Sequence, residues 1–145
     1  MVDGYISGAE VCIDENENWT CDSSENSTTS DNEGKFTIRY ANGNLVSIGG
    51  TDLDSQTLLD NLLITHKLTG HSDFKAVTPV TSVAAFMEDA SLVNAALGID
   101  SSIDVFTFDP VANKGDGGIN DYLYEKGNQL TVLAFALQNI TNNLN

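Results

Sequence analysis

Between residues 14 and 25 the chain reads Asp-Glu-Asn-Glu-Asn-Trp-Thr-Cys-Asp-Ser-Ser-Glu, placing side-chain oxygens at the first, third, fifth, ninth and twelfth positions. A hard divalent cation such as Ca²⁺ takes roughly six to eight oxygen ligands, and alternate residues of a tightly coiled loop can aim theirs at one point. This is the ligand order of an EF-hand-type loop. Asp14, Asn16, Asn18, Asp22 and Glu25 are its candidate side-chain ligands, and Thr20, at the seventh position, offers its backbone carbonyl. Asp14, Glu15, Glu17, Asp22 and Glu25 crowd together here, and their mutual repulsion should open the loop in the absence of a cation. The order departs from the pattern at the sixth position, where Trp19 replaces the usual glycine, so a different backbone path or a lost ligand is an alternative. The plainer alternative is a solvated acidic loop that binds nothing.

Two cysteines, Cys12 and Cys21, bracket the first two-thirds of this loop. A disulfide between them would close a short ring, contribute roughly 2–3 kcal/mol in the chain-entropy model, and hold the loop partly coiled. Two free thiols or a metal pair are the alternatives. The latter has only His66 and His71 to draw on, both far along the chain. A disulfide would imply an oxidising, extracytoplasmic setting.

The elements around the loop decide what the ion would do. Ala9, Val11 and Ile13 alternate just before it, which is strand periodicity. A sensor loop sits between two helices, whereas this one would pin a sheet, so calcium is expected to be structural. Tyr5 to Ile13 predicts a first strand with Gly8 as a candidate bulge, and Ser27 to Ser30 is polar and β-prone. A turn at Asp31-Asn32-Glu33-Gly34 leads into a strand over 35–40, with Phe36, Ile38 and Tyr40 on one face and Lys35, Thr37 and Arg39 on the other. Asn42-Gly43 turns the chain into Leu45 to Ile48. In residues 51–79, Leu58, Leu59, Leu62, Leu63 and Ile64 fit a short helix or a strand running towards His66 and Leu68. Strands are expected, with Phe74 to Val77 extended before Pro79.

From Pro79 the period lengthens. Val80, Val83, Ala84, Phe86 and Met87 suit a helix, and Ser91 would cap a second one that Gly98 stops. Asp109-Pro110 predicts a short helix ending at Gly115. The longest helix is predicted over about 120–144, with Leu123, Leu130, Leu133, Ala134, Leu137 and Ile140 on one stripe and Gly127 weakening its first half. The prediction is one α+β domain over 1–145. A small antiparallel β-sandwich or sheet carrying the EF-hand-like loop fills a mainly β stretch, 3–78, and a mainly α stretch follows over 79–145.

Against 6 basic residues the chain carries 21 acidic ones, a formal charge of −15. Such a field repels nucleic acid and anionic membrane surfaces and attracts cations. No run of apolar residues is long enough to span a membrane, so membrane insertion is not expected. Met1-Val-Asp-Gly has neither the basic nor the apolar region of a signal peptide, and a start directly at a strand-like segment is expected of a piece of a longer polypeptide.

Taken in order, Ile6-Ser7-Gly8-Ala9-Glu10-Val11-Cys12-Ile13-Asp14, the acidic loop, and Thr28-Thr29-Ser30-Asp31-Asn32-Glu33-Gly34-Lys35-Phe36-Thr37-Ile38 resemble a known pattern. It is that of the B-type, transthyretin-like β-sandwich modules of large bacterial surface proteins, including calcium-binding adhesin repeats. The resemblance covers residues 4–48, about a third of the chain. It implies calcium ligands at Asp14, Asn16, Asn18, Thr20, Asp22 and Glu25. The segments 77–83 and 108–111 resemble extensions found in giant bacterial adhesins and surface lipoproteins, while the helical second half is foreign to a plain module of this kind.

Other chemistry is thinly represented. No nucleophile elbow, metalloprotease helix or phosphate-binding loop is present, and Gly115-Asp-Gly-Gly118 lacks the lysine such a loop needs. Asp52 with Asp54, Asp100 with Asp104, and Asp116 with Asp121 could make a second calcium site, but helix caps and solvated acids explain them as simply. Self-cleavage at Asp109-Pro110 and an isopeptide crosslink at Lys35 are minor alternatives. Three Asn-x-Thr triplets (at Asn18, Asn26 and Asn139) match the glycosylation pattern, which is frequent by chance.

The expected function is a non-enzymatic, calcium-stabilised extracellular module of a bacterial cell-surface or adhesin protein, structural or adhesive in role. Neighbouring domains of a longer surface protein are its expected partners, together with an extracellular glycan or peptide ligand. A glycan- or peptide-binding domain using Trp19, Tyr122 or Tyr124 as a stacking surface is the alternative, followed by an accessory domain of a secreted hydrolase.

Overall fold

The computed structural model describes residues 4–59, 62–67, 76–87, 90–112 and 114–144. His71 and Phe74 lie outside them, as do the side chains of His66, Phe86, Ala134, Leu137 and Ile140. Six short strands precede three helices, so the described residues form a small α+β fold with antiparallel sheets.

The first predicted strand is two. β1 (Ile6–Ser7) and β2 (Glu10–Asp14) are separated at Gly8, whose φ of +70° only glycine adopts freely. Ser30 bridges the break: its hydroxyl donates to the Ile6 carbonyl at 2.7 Å and accepts from the Ala9 amide at 2.9 Å. The chain therefore changes sheet at Gly8. β1 pairs with β5 (Thr51–Asp52), while β2 enters a four-stranded sheet in the order β3-β2-β4-β6. In that sheet β3 is Ser27–Thr29, β4 is Asn44–Ile48 and β6 is Leu62–Lys67.

As an inner strand β2 is buried on both faces, which is why every residue from Val11 to Asp14 is buried. Val11 and Ile13 pack with Leu45 under Phe36, Ile38, Ala41 and Val77. On the opposite face Cys12 and Val46 meet Trp19, Cys21, Ile48 and Ala85.

The strand expected over residues 35–40 does not form a ladder. Its alternation survives all the same, with Phe36, Ile38 and Tyr40 half-buried and Lys35, Thr37 and Arg39 exposed. The segment lies over a face of the sheet, so the apolar period reports burial without strand pairing. Lys35 pairs with Glu33 at 2.6 Å on the exposed surface.

α1 (Pro79–Phe86) begins where the period changes. Thr78 accepts from the Thr81 amide at 3.1 Å and Thr81 Oγ1 accepts from the Thr78 amide at 2.8 Å, a reciprocal cap with Pro79 at the first helical position. α2 (Ala90–Leu97) starts before Ser91, which lies in its first turn instead of at the cap. It stops at Gly98, with φ of +66°. Asn94 then seals the following loop, its amide group donating to the carbonyls of Asp100 at 3.1 Å and Ile103 at 2.8 Å.

Asp109 does cap its chain, accepting from the Val111 and Ala112 amides at 2.9 and 3.0 Å, but the segment makes turns and not the predicted helix. Too few residues separate Pro110 from Gly115 to repay helix nucleation. α3 (Ile119–Leu144) packs on α1 through Leu123 and Leu130, over a core of Val80, Ala84, Val93, Ile99 and Val105. Leu133, expected on the buried stripe, is 54% exposed.

Candidate metal centre

The loop leaves the sheet at the end of β2 and returns at β3, so both of its ends are fixed by strand pairing. Cys12 and Cys21 form a disulfide with a Cα–Cα distance of 5.6 Å, as one of the sequence readings expected. It ties the middle of the loop to the inner strand.

Each candidate ligand has a definite place. Asp14 is fully buried; its two carboxylate oxygens accept from the Asn18 amide at 3.2 Å and the Trp19 amide at 2.9 Å. Asn16 Oδ1 accepts from the Asn18 amide at 3.1 Å, and Asn18 Oδ1 from the Thr20 amide at 2.9 Å. The amide groups of Asn16 and Asn18 both donate to Asp22 Oδ2, at 2.7 and 2.9 Å. The Thr20 hydroxyl joins them, donating to Asn18 Oδ1 at 2.7 Å and lying 3.5 Å from Asp22 Oδ1. Glu25 closes the loop, one oxygen accepting from the Glu15 amide at 2.8 Å and the other from the Asp22 amide at 3.1 Å.

The structure thus brings Asn16, Asn18, Thr20 and Asp22 together, while Asp14 and Glu25 brace the backbone at the loop's two ends. Thr20 joins the cluster through its amide and its hydroxyl, which both donate to Asn18 Oδ1. Among the described residues no three histidine, cysteine, aspartate or glutamate side chains gather as a metal-holding group. The converging set is mixed, with one carboxylate, two carboxamides and a hydroxyl. By type its side-chain oxygens suit a hard cation such as Ca²⁺. Asn16 and Asn18, however, turn their nitrogens towards Asp22 and their oxygens towards the Asn18 and Thr20 amides, so both carboxamides would have to turn to face an ion.

Trp19 takes φ of +62°, the left-handed conformation for which glycine is usual at this position. The turn is made in spite of the side chain, and the indole packs in the cluster formed by the disulfide, Val46, Ile48 and Ala85. Hydrogen bonds from Asn16, then Asn18, hold the Asp22 carboxyl below its ordinary value, outweighing the small effect of burial.

The other acidic pairs are occupied by backbone and side-chain donors. Asp52 is fully buried and accepts from the Gly4 amide at 2.8 Å, the Asp54 amide at 3.1 Å, and both the amide and hydroxyl of Ser55. Asp100 and Asp104 accept from the Ser102 and Phe106 amides, and Asp121 from the Gly115 and Gly117 amides.

Sequence reading missed a polar seam between the strands and the helices. Asp54 accepts from Lys114 and from the Tyr124 hydroxyl, and Tyr5 donates to Asp109 Oδ2 at 2.9 Å. Burial, and then the hydrogen bond to Asp109, pushes the Tyr5 phenol up to about 12. No local signal could have found these pairs, because their members are distant in sequence.

No family model, no curated protein and no solved structure matches this chain.

Proposed function

We propose that this chain is a non-enzymatic, calcium-stabilised extracellular module of a bacterial cell-surface or adhesin protein. The observation that carries the reading is the oxygen-rich turn at Asn16, Asn18, Thr20 and Asp22, held between Asp14 and Glu25 and tethered by the Cys12–Cys21 disulfide. Asp14, Asn16, Asn18, Thr20, Asp22 and Glu25 would hold the ion, which supplies positive charge where the acids of the loop repel one another. In this reading the sheet and the segment over its face represent the transthyretin-like β-sandwich module, and the helices are an addition to it. The partners are neighbouring domains of a longer surface protein. The disulfide favours an oxidising compartment, and among the described residues no helix is long and apolar enough to cross a membrane.

The mechanism is linkage. An ion that binds only the folded chain stabilises it by RT ln(1 + [Ca²⁺]/Kd), about 2.7 kcal/mol at a concentration one hundred times Kd. Of the aromatics considered for ligand stacking, Trp19 packs on the disulfide, while the hydroxyls of Tyr122 and Tyr124 donate to the Leu97 carbonyl and to Asp54. These contacts favour a rigid spacer over a stacking platform.

The reading is tested with Glu25→Gln, melted in millimolar calcium and again in excess EDTA. In EDTA the variant should melt within a few degrees of the parent, since its carboxamide retains one acceptor. In calcium it should fall short of the parent by about 5–10 °C, the equivalent of the lost binding energy in a domain this size. An equal deficit in both conditions would assign Glu25 a purely structural role.

A further inference from the structure

We infer that the oxidation state of Cys12 and Cys21 sets the calcium affinity of the loop, so that the loop becomes competent for the ion only after the disulfide has formed. The inference rests on the calcium reading above. Four of the six candidate ligands, Asp14, Asn16, Asn18 and Thr20, lie inside the ring that the disulfide closes, and Asp22 directly follows Cys21. Cys12 is fully buried in the inner strand β2, paired with Val46 of β4. Through the disulfide its position is passed to the residue beside Asp22, the oxygen on which both carboxamides converge.

Trp19 is the second connection. Its amide donates to Asp14 at 2.9 Å, and its indole packs in one cluster with Cys12, Cys21 and Ala85 of α1. A non-glycine residue at φ of +62° persists only where its surroundings hold it. Here those surroundings include the disulfide.

Reduction by a dithiol breaks the S–S bond and leaves two thiols. The dithiol gives up two electrons and two protons and closes to its own disulfide. Attack falls on Cys21, which is half-buried, and not on the enclosed Cys12. Once freed, Cys21 and Asp22 are no longer tied to β2, and calcium must then pay the ordering entropy that the ring had already removed.

The expected weakening of calcium binding is about tenfold, within the roughly 5- to 150-fold range of ordinary site-to-site coupling. The coupling is reciprocal, so calcium must resist reduction by the same factor. The test titrates calcium chloride into the full chain by calorimetry, oxidised and then in dithiothreitol, with far-UV circular dichroism confirming the fold in each. The fluorescence of Trp19, the only tryptophan, follows the loop in both states.

A Kd about tenfold weaker after reduction supports the inference, and equal values overturn it while leaving the calcium reading intact. An oxidised chain that takes up no calcium overturns the calcium reading itself. If the reduced chain does not stay folded, the reverse measurement decides, using the dithiothreitol concentration that half-reduces the disulfide. Calcium should raise it about tenfold over EDTA in the parent and leave it unchanged in Glu25→Gln. A parent that shows no such rise would overturn the inference.

Discussion

Replacing Asp52 with alanine is expected to destabilise the domain by about 3–5 kcal/mol, the range for stripping a buried carboxylate from its donors. The side chain is fully buried and gathers the Gly4 amide, the Asp54 amide, and both the amide and hydroxyl of Ser55. Alanine would leave these donors without an acceptor and release residue 4 from the turn after β5. Asp52→Asn keeps the shape and one acceptor oxygen, so it should cost about half as much. Urea denaturation of the three proteins checks this, and midpoints that coincide would show that Asp52 is not a structural anchor.

The pH dependence of Asp52 has a definite sign. Burial, the largest single influence, pushes its carboxyl up, but the Ser55 hydroxyl and the three backbone amides together outweigh it and hold it below its ordinary value. A carboxyl depressed on folding contributes its stability in full above the unfolded value and loses it as pH falls through the folded value. The parent should therefore lose stability below about pH 4, and Asp52→Asn should lose less over that interval. Asp22, Asp31 and Asp100 are also held low, so the variant removes one share of the acid sensitivity and not all of it.

The second large effect is expected at Gly43, in the turn before β4. A Cβ there would stand 2.3 Å from the Asp14 carbonyl oxygen and 2.7 Å from its carbon, both backbone atoms. Neither can yield as a flexible side chain would, so Gly43→Ala must push β4 away from the end of β2. Overpacking of this kind costs about 1–3 kcal/mol. Because Asp14 is also the first residue of the loop, the same substitution should weaken calcium binding. Chemical denaturation reads the first effect and calcium calorimetry the second. A variant as stable as the parent would mean that the two strands are less closely apposed there.

How much the sequence revealed depended on the range of the interactions. The clustering of Asn16, Asn18, Thr20 and Asp22 was legible because they alternate over a short stretch, and the disulfide because the chain has only two cysteines, close together. The start of α1 was legible because the apolar period changes at Pro79, where the structure adds a reciprocal cap from Thr78 and Thr81. At residues 35–40 the alternation of Phe36 and Ile38 reported which side is buried, but it cannot distinguish a paired strand from an extended segment lying over a sheet. Leu133 fits the helical stripe of α3 and is exposed, since periodicity does not say where a neighbouring surface ends. The contacts of Tyr5 with Asp109 and of Asp54 with Lys114 and Tyr124 join residues far apart in the chain, and only the completed fold brings them together.

Calcium is proposed to bind the oxygen-rich loop and stiffen the domain. This is tested most directly by melting the oxidised chain in excess EDTA and again in millimolar calcium. The expected midpoint is higher by about 5–10 °C in calcium, from a binding contribution of about 2.7 kcal/mol at one hundred times Kd. Melts that superimpose would contradict it, leaving the Asn16–Asp22 cluster as a loop held by its own hydrogen bonds.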